Sequence, residues 1–538
     1  MNQTNIIDSI LAAVAPVHAL KRQAARKALQ FANSGYGNYG ANTTKKSLRG
    51  WMYYGGSAKE DIEDNIEILR QRSRDAYMGV PIAAAALKTM RTNVIAGGLQ
   101  LTPQPDAAHL NLSDTQTAAL HEQIVREFSL WADTSVCDAD RIDNFYQLQQ
   151  LAFLSYLMNG DAFALLPINE KPEPECPYSL RIKLIEADRV CSPDLYDRLV
   201  PCEVQGFHVE RIVQGVETDA AGWVIAYWIC NRHPLSNAAD IQPGRMEWVR
   251  VEAYGKRTGR RNVLHMMNRE RIGQVRGVPV LAPVLEALKQ LGRYTDAEIT
   301  AAVLSSYFTV IVQPQSPTDA SPFGEMLPPD MQIDAEDQGS IELGPGAIVS
   351  TNPGETVSFA DPKHPNSGYD QFTDALIKQI GAALEIPVEV LYKQFTTSYS
   401  AARGALNEFW RTCSMQREWF ASDFCQAVYE EWFAEAVSRG RIHAPGFYKD
   451  PAIRKAYTGC TWNGPARTNL NPSQEVDAAV KRVDAGFSTA EQETAQMTGG
   501  DYTQNIRQRV IEAKQKQEVD AVVNPAAFSS QKGEGIEN

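Results

Sequence analysis

Residues 267–289 read MNRERIGQVRGVPVLAPVLEALK. Arg269, Arg271 and Arg276 crowd around Gly273 and Gly277, and an apolar run with helical spacing follows at once. Such a stretch reads as a phosphate cradle, a nucleic-acid contact or a hinge between two parts of a fold, and the choice decides the architecture. Upstream, between about 161 and 266, ALLPI, LRIKLIEADRV, WVIAYWI and MEWVRVEA cluster or alternate β-branched and aromatic residues, so strands lead into it. DAAG at 219–222 predicts a hairpin turn among them. Downstream, Val284, Leu288, Leu291, Ile299, Val303 and Tyr307 fall mostly three or four apart, which predicts one helix over 279–309. At 1.5 Å per residue it would span about 45 Å, too long to bury its stripe within one compact domain.

Further out the pattern is helical on both sides. DIEDNIEILRQRSRDAYMG and VPIAAAALKTMRTNVIAGG predict two helices broken at Gly79–Pro81, the second closed by Gly97–Gly98. Another helix is expected over 114–132, and FYQLQQLAFLSYLMNG predicts one that stops at Asn159–Gly160. Residues 313–366 collect Pro, Gly, Asp and Ser around AIVS and ETVSFA, a small β-rich excursion. YDQFTDALIKQIGAAL returns as a helix closed by Ile386–Pro387, VEVLYKQFTTSY follows as a connector, and a long helix is expected from Ser400 to about Gly440. Helix, excursion, helix, loop, helix is the plan of a stalk with a small domain at its tip. The first sixty residues, with FANSGYGNYGANTTKK, read as an extended arm.

Composition narrows the function classes. The chain has 538 residues, 43% of them hydrophobic and 22% charged, as in ordinary globular proteins. No run approaches the roughly 20 apolar residues of a membrane span, so no membrane partner is expected. ILAAVAPVHAL follows Asp8 and precedes KRQAARK, the reverse of a secretory signal, and reads as a short amphipathic helix. A net charge of −13 argues against a surface that grips nucleic acid all over. The eight cysteines, at 137, 176, 191, 202, 230, 413, 425 and 460, contain no C-x-x-C pair and read as reduced thiols rather than metal ligands.

No catalytic or cofactor motif stands out. GYGNYG matches G-x-G-x-x-G at Gly35, Gly37 and Gly40 but lacks the strand before and helix after that a dinucleotide site needs. Gly255–Lys256 lacks the glycine and hydroxyl residue of a phosphate-binding loop, G-x-S-x-G and H-E-x-x-H are missing, and no two histidines share helical i, i+4 spacing. GKRTGRR at 255–261 and the quoted stretch place seven basic residues close together. They form either a nucleic-acid patch or a set of carboxylate clamps, and the absence of interleaved aromatics favours clamps.

With these segments in view, the chain resembles the lambda-type portal proteins of tailed bacteriophages. The matching pieces are LRQRSRDAYMGVPIAAAALKTMRTNVIAGG, then His265, Arg269, Gln274, Arg276, Gly277, Val278 and Pro279 in H-x-x-x-R-x-x-x-x-Q-x-R-G-V-P, GYDQFTDALIKQIGAALEIPVEVL, YSAARGALNEFWR, and GCTWNGPARTNLNPSQEVDAAVKRVDAGFST. They keep their order over about 61–510. The resemblance implies an α+β ring subunit: a flexible arm over 1–60, a wing over 61–266, stem helices within 267–312 and 367–387, and a clip at 313–366. It further implies a tunnel loop at 388–399, a long wing helix over 400–440, a helical crown over 441–517 and a disordered tail over 518–538.

In that reading Tyr392, Lys393, Gln394, Phe395, Thr396, Thr397, Ser398 and Tyr399 face the channel, and R-G-V-P is the corner where the wing sheet feeds the stem. Gly277 would permit the turn, Pro279 would occupy the first helical turn, and Arg276 would tie the corner to an acidic partner. The implied assembly is a dodecameric homo-oligomer that passes double-stranded DNA and docks a terminase, the major capsid protein and a head–tail connector. No catalytic site, metal or cofactor is expected. A peripheral head–tail adaptor ring and a nucleic-acid-processing enzyme remain the alternatives.

Overall fold

The computed structural model describes residues 45–51 and 55–57 with a few isolated positions before them, then 58–169, 174–193, 212–236, 246–306, 310–312, 348–350, 368–395, 398–466 and 472–523. The expectations for ETVSFA, most of the 313–366 clip, most of ILAAVAPVHAL and the tail after 523 lie outside the described residues. The chain divides into two units, Met1–Ser57 and Ala58–Asn538. In the first, a single 3-10 turn, Lys46–Leu48, is described. All that follows belongs to the second.

After short turns at Ala58–Asp61 and Glu63–Asn65, its first long helices are α1 (Ile66–Gly79), α2 (Pro81–Val94), α3 (Asp114–Ala132) and α4 (Phe145–Asn159). Pro81 starts α2 where its missing N–H costs nothing. Capping boxes, Ser113 with Gln116 and Asn144 with Gln147, fix the starts of α3 and α4. The α4 helix buries Phe145, Leu148, Ala152, Phe153 and Leu157, while Gln147 and Leu151 stay exposed on its outer side. It packs with Phe128 and Trp131 of α3 and with Phe420, Phe424 and Trp432 from the far end of the chain in one large core.

Strand β1 (Gln100–Pro103) lies between α2 and α3, and the β-rich part begins directly after α4. Its strands are β2 (Asp161–Leu165), β3 (Lys183–Ile185), β4 (Ile212–Val213), β5 (Val216–Thr218), β6 (Val224–Cys230), β7 (Trp248–Glu252) and β8 (Val263–Met267). They form two antiparallel sheets, β3-β2-β8 and the meander β4-β5-β6-β7. Phe163, Ile185, Val190, Val216, Tyr227, Ile229 and Val263 fill a second core joining the two. The β5–β6 turn falls at DAAG, where the Asp219 carboxylate accepts from Ala221 and Trp223 N–H and Gly222 has φ +86°. Strand β8, which carries His265, was not among the expected strands.

Several boundaries differ from expectation. Helix α5, expected as a stem, runs Leu285–Ser306, after a 3-10 turn at Ala282–Val284, and not from 279. Its 22 residues span about 33 Å rather than 45 Å. Val278 and Val280 donate their N–H groups to Asn268 and Leu157 carbonyls, so the backbone there is tied to β8 and α4 and is not free to coil. Pro283, not Pro279, therefore takes the first-turn position. Strand β9 (Val310–Val312) follows within the span given to the stem and pairs in parallel with β10 (Ile348–Ser350), inside the expected clip.

The returning helix α6 (Tyr369–Ala383) is followed by a five-residue helix α7 (Val388–Tyr392) inside the expected loop. Next come α8 (Tyr399–Phe420), a π-helical turn (Ala421–Gln426) and α9 (Ala427–Ser438), so the long helix changes its winding midway. The C-terminal region is not all helical. Helix α10 (Pro451–Tyr457) precedes β11 (Cys460–Asn463), which pairs antiparallel with β1, and Ile442, Ala444, Phe447 and Tyr457 join the large core. Among the described residues, α11 (Pro472–Asp484), α12 (Ala490–Thr498) and α13 (Tyr502–Val523) follow it, and α13 enters the span assigned to the tail. No helix among the described residues is long and apolar enough to cross a membrane.

Candidate functional site

The corner is built from β2, β8 and the loop between β8 and α5. Asp161, the first residue of β2, and Arg276 are both 0% exposed, and Arg276 Nε donates to Asp161 Oδ2 at 2.7 Å. The rest of the guanidinium is used as well: Nη1 donates to the Val190 carbonyl at 2.7 Å and to the Gln214 carbonyl, and Nη2 to the Ala187 carbonyl at 2.9 Å. The second Asp161 oxygen accepts from Gly277 N–H at 2.6 Å and lies 3.1 Å from His265 Nε2. The His265 ring stacks on Phe163 at 4.2 Å, and the guanidinium lies over the same phenyl ring at 5.1 Å. Burial by itself would raise the Asp161 carboxyl, but Arg276, His265 and Arg70 outweigh it and hold it at about 2. An arginine so enclosed cannot reach a phosphate, which removes the phosphate-cradle reading for this residue.

Gly277 serves close approach rather than a turn. A Cβ there would stand 1.9 Å from the Gly160 carbonyl oxygen, and one on Gly160 would meet the Gly277 and Val278 backbone at 2.4–2.5 Å. The turn belongs to Gly273, at φ +87° with open space around it. Gln274 shapes the same loop, its Oε1 accepting from Glu270 and Arg271 N–H and its Nε2 donating to the Asn268 and Arg276 carbonyls. Pro279 is buried, whereas Arg269 is exposed and stands outside the buried cluster.

Several partners had not been singled out in the sequence. Glu63, buried, accepts from Val275 N–H at 2.6 Å, and burial raises its carboxyl against the pull of the Val275 and Arg276 backbone amides. Arg271 pairs with Asp61 at 2.5 Å. Arg70, also buried, pairs with Asp188, and burial with Arg276 nearby brings it down to about 10. Glu186, Asp188 and His233 offer ligand atoms within 4.8 Å of one another, a grouping the metal-free reading had not foreseen. Arg74 donates to both carboxylates, so guanidinium groups already meet the charge of that cluster. The 255–261 cluster also engages carboxylates: Lys256 pairs with Glu252 at 3.0 Å and Arg260 with Glu431 at 2.7 Å.

The second candidate region is 388–399. Lys393 ends α7 at φ +56°, and Gln394 N–H donates to the Glu389 carbonyl at 3.0 Å, a left-handed helix cap. Ser398 caps α8 through Ala401 N–H. Tyr392, Lys393, Gln394, Phe395, Ser398 and Tyr399 are all exposed, while Thr396 and Thr397 lie outside the described residues. The corner and this segment are separate sites.

The sequence profile described as "Phage portal protein, lambda family" matches residues 44–417, well over half the chain. The chain belongs to the lambda family of phage portal proteins. Portal protein B of Escherichia phage lambda is 21% identical over 501 residues, covering 90% of each chain. The portal protein of Escherichia phage N15 is 22% identical over 509 residues, again 90% of each. A probable portal protein of Halomonas phage phiHAP-1 is 25% identical over 79% of this chain and 76% of its own. Among solved structures, the neck of a native GTA particle computed with C12 symmetry aligns over 80% of this chain and 92% of that one, at TM-score 0.38 and 13% identity. A portal protein is a structural component of the virion and works as part of a ring at the capsid vertex.

Proposed function

We propose that the chain closes into a ring of twelve, a conduit through which double-stranded DNA enters during packaging and leaves at ejection. The ring sits against the major capsid protein and docks a terminase and a head–tail connector in turn. The observation that carries the ring is on the stem: Ile299 and Val303 of α5 are 57% and 46% exposed, and Phe372 of α6 is 54% exposed. Apolar side chains along two long helices need a cover, and head-to-tail copies supply one in a closing contact. Negative-stain imaging of the purified chain tests this, since a ring with a central hole is expected.

In this reading the buried corner holds wing and stem in one orientation, so that twelve copies meet at a constant angle. The 388–399 segment presents Lys393 to the duplex. Twelve copies carry a formal charge of 12 × −13 = −156. Such a body repels DNA and keeps it sliding, because every neutralised phosphate would add salt-sensitive, sequence-independent affinity. One lysine per subunit then acts as a weak brake on the genome.

A further inference from the structure

Two basic segments far apart in sequence meet on one face. Residues 255–261, in the turn between β7 and β8, and residues 439–455, from the end of α9 into α10, hold nine lysines and arginines against one carboxylate, Asp450. Arg260 joins the two: its Nε donates to Glu431 of α9 at 2.7 Å, and Arg260, Glu431, Glu435, Arg439 and Tyr448 line one recess of about 370 Å³. Tyr448 is 62% exposed and donates its hydroxyl to the Ala434 carbonyl, while the neighbouring Phe447 ring carries the Arg454 guanidinium at 5.5 Å. Four of the nine cations meet glutamates: Lys256 with Glu252, Arg260 with Glu431, Arg439 with Glu435 and Arg441 with Glu127. Arg257, Arg261, Lys449, Arg454 and Lys455 form no ion pair among the described residues. Asp423, whose carboxyl feels Arg261 without pairing to it, is a further acid nearby. Nine cations less six carboxylates, the four glutamates with Asp423 and Asp450, leave +3 on this face of a chain whose net charge is −13.

We propose that this face grips the sugar-phosphate backbone of duplex DNA, as a contact separate from the 388–399 segment. It rests on the conduit reading above, which brings DNA against the chain. Duplex DNA carries one negative charge per about 1.7 Å of axis, and affinity for it comes from Lys and Arg that displace its counterions. Five unclamped cations spread over an open face, rather than converging in a pocket, suit a row of phosphates better than a single carboxylate. The clamped ones have another role: Glu431 and Glu435 fix Arg260 and Arg439, so the β7–β8 turn and the end of α9 keep a constant spacing. Tyr448 supplies the exposed aromatic ring that 255–261 lacks in its own sequence. The position also separates this face from Lys393. Helix α8, the π-helical turn and α9 run without a break from Tyr399 to Ser438, about 60 Å at 1.5 Å per residue, with Lys393 before the start and Arg439 at the end. The separation matters, because five unpaired cations from each copy in the sliding path would stall transport. This face holds duplex that rests against the ring, not duplex that slides through it.

The test compares three full-length proteins: wild type, a face variant carrying Arg257→Ala, Lys449→Ala and Lys455→Ala, and a control carrying Arg509→Ala, Lys514→Ala and Lys516→Ala. All six side chains are exposed, and the control removes its three cations from α13, so both variants change the net charge equally. Circular dichroism and negative-stain imaging check fold and ring. Binding of a fluorescein-labelled duplex of about 12 bp is then followed by anisotropy from about 50 to about 200 mM salt. The expected result is a plot of log affinity against log salt that flattens by about 2–3 for the face variant, at about 0.9 per lost phosphate contact, and keeps the wild-type slope for the control. Equal slopes for the two variants, or no duplex binding by wild-type rings at about 50 mM salt, overturn the inference and leave the conduit reading standing. A face variant that binds duplex like wild type but loses a polyglutamate peptide overturns it too, and marks the face as the seat of an acidic protein. Wild-type chain that forms no ring overturns the conduit reading and, with it, this one.

Discussion

Arg276→Ala is the perturbation from which the corner has most to lose. The substitution leaves the Asp161 carboxylate, 0% exposed, without its cation and strips donors from the carbonyls of Ala187, Val190 and Gln214. Breaking a buried ion pair from one side costs about 3–5 kcal/mol. Two effects pull in opposite directions. Each orphaned carbonyl adds to the cost unless water enters, while Arg70, whose charge Arg276 and burial now disfavour, is partly relieved and already feels Asp161. The ion-pair figure is therefore the working value. At about 2.1 cal/mol/K per residue, a cooperative unit the size of Ala58–Asn538 has an unfolding entropy of about 1 kcal/mol/K, so the melting point falls by about 3–5 °C. Differential scanning calorimetry reads this directly, and native mass spectrometry should show fewer rings. The double variant Asp161→Asn with Arg276→Met, which leaves no buried charge unpaired, should recover part of the loss. An Arg276→Ala protein that melts with the parent and makes normal rings yet loses DNA binding would refute the corner reading.

Four further outcomes are expected. Gly277→Ala should give little soluble protein, because its Cβ has 1.9 Å to the Gly160 carbonyl, whereas Gly273→Ala, strained only by φ +87°, should cost about 1 kcal/mol by urea denaturation. Asp161, with its carboxyl lowered from 3.8 to about 2, contributes stability that is present above pH 3.8 and lost as pH falls through 2; Glu63, raised by burial, has the opposite sign and favours the fold as pH drops toward 4.5. Chemical denaturation across pH 2–6 should thus show parent and Asp161→Asn furthest apart above about pH 4 and converging below it, as the Asp161 carboxylate is protonated. Lys393→Ala rings should assemble and accept DNA but retain packaged genomes poorly, most of all at low salt, where screening is weakest, as measured by DNA release from capsids. Ile299→Asp with Val303→Asp should leave the monomer's circular dichroism unchanged while shifting its mass from ring to monomer, since both side chains are half exposed in one copy.

How much of this was legible follows from sequence separation. Helices α1 to α4 announce themselves through period, the Gly79–Pro81 break and the Gly160 stop, all local signals. The R-G-V-P corner was readable as a structural joint, yet its partners lie 115 residues away at Asp161 and 212 away at Glu63, and no spacing rule links them. One clue was available: Asp161 opens DAFALL, an otherwise apolar strand, and a carboxylate there needs a cation. The start of α5 was misplaced because an apolar run with two prolines fits a helix and an extended tie to α4 equally well. Strand β8 was missed because VLHMM lacks β-branched alternation, and its pairing with β2 comes from tertiary contact. Likewise, GKRTGRR could not reveal that Glu252 and Glu431 would meet its cations.

The central claim is assembly, and the most direct measurement is the native mass and negative-stain image of the purified full-length chain at micromolar concentration across several salt conditions. Twelve copies of the 59.6 kDa chain predict a particle of about 715 kDa with a central hole. A monodisperse 59.6 kDa monomer under every condition would contradict it.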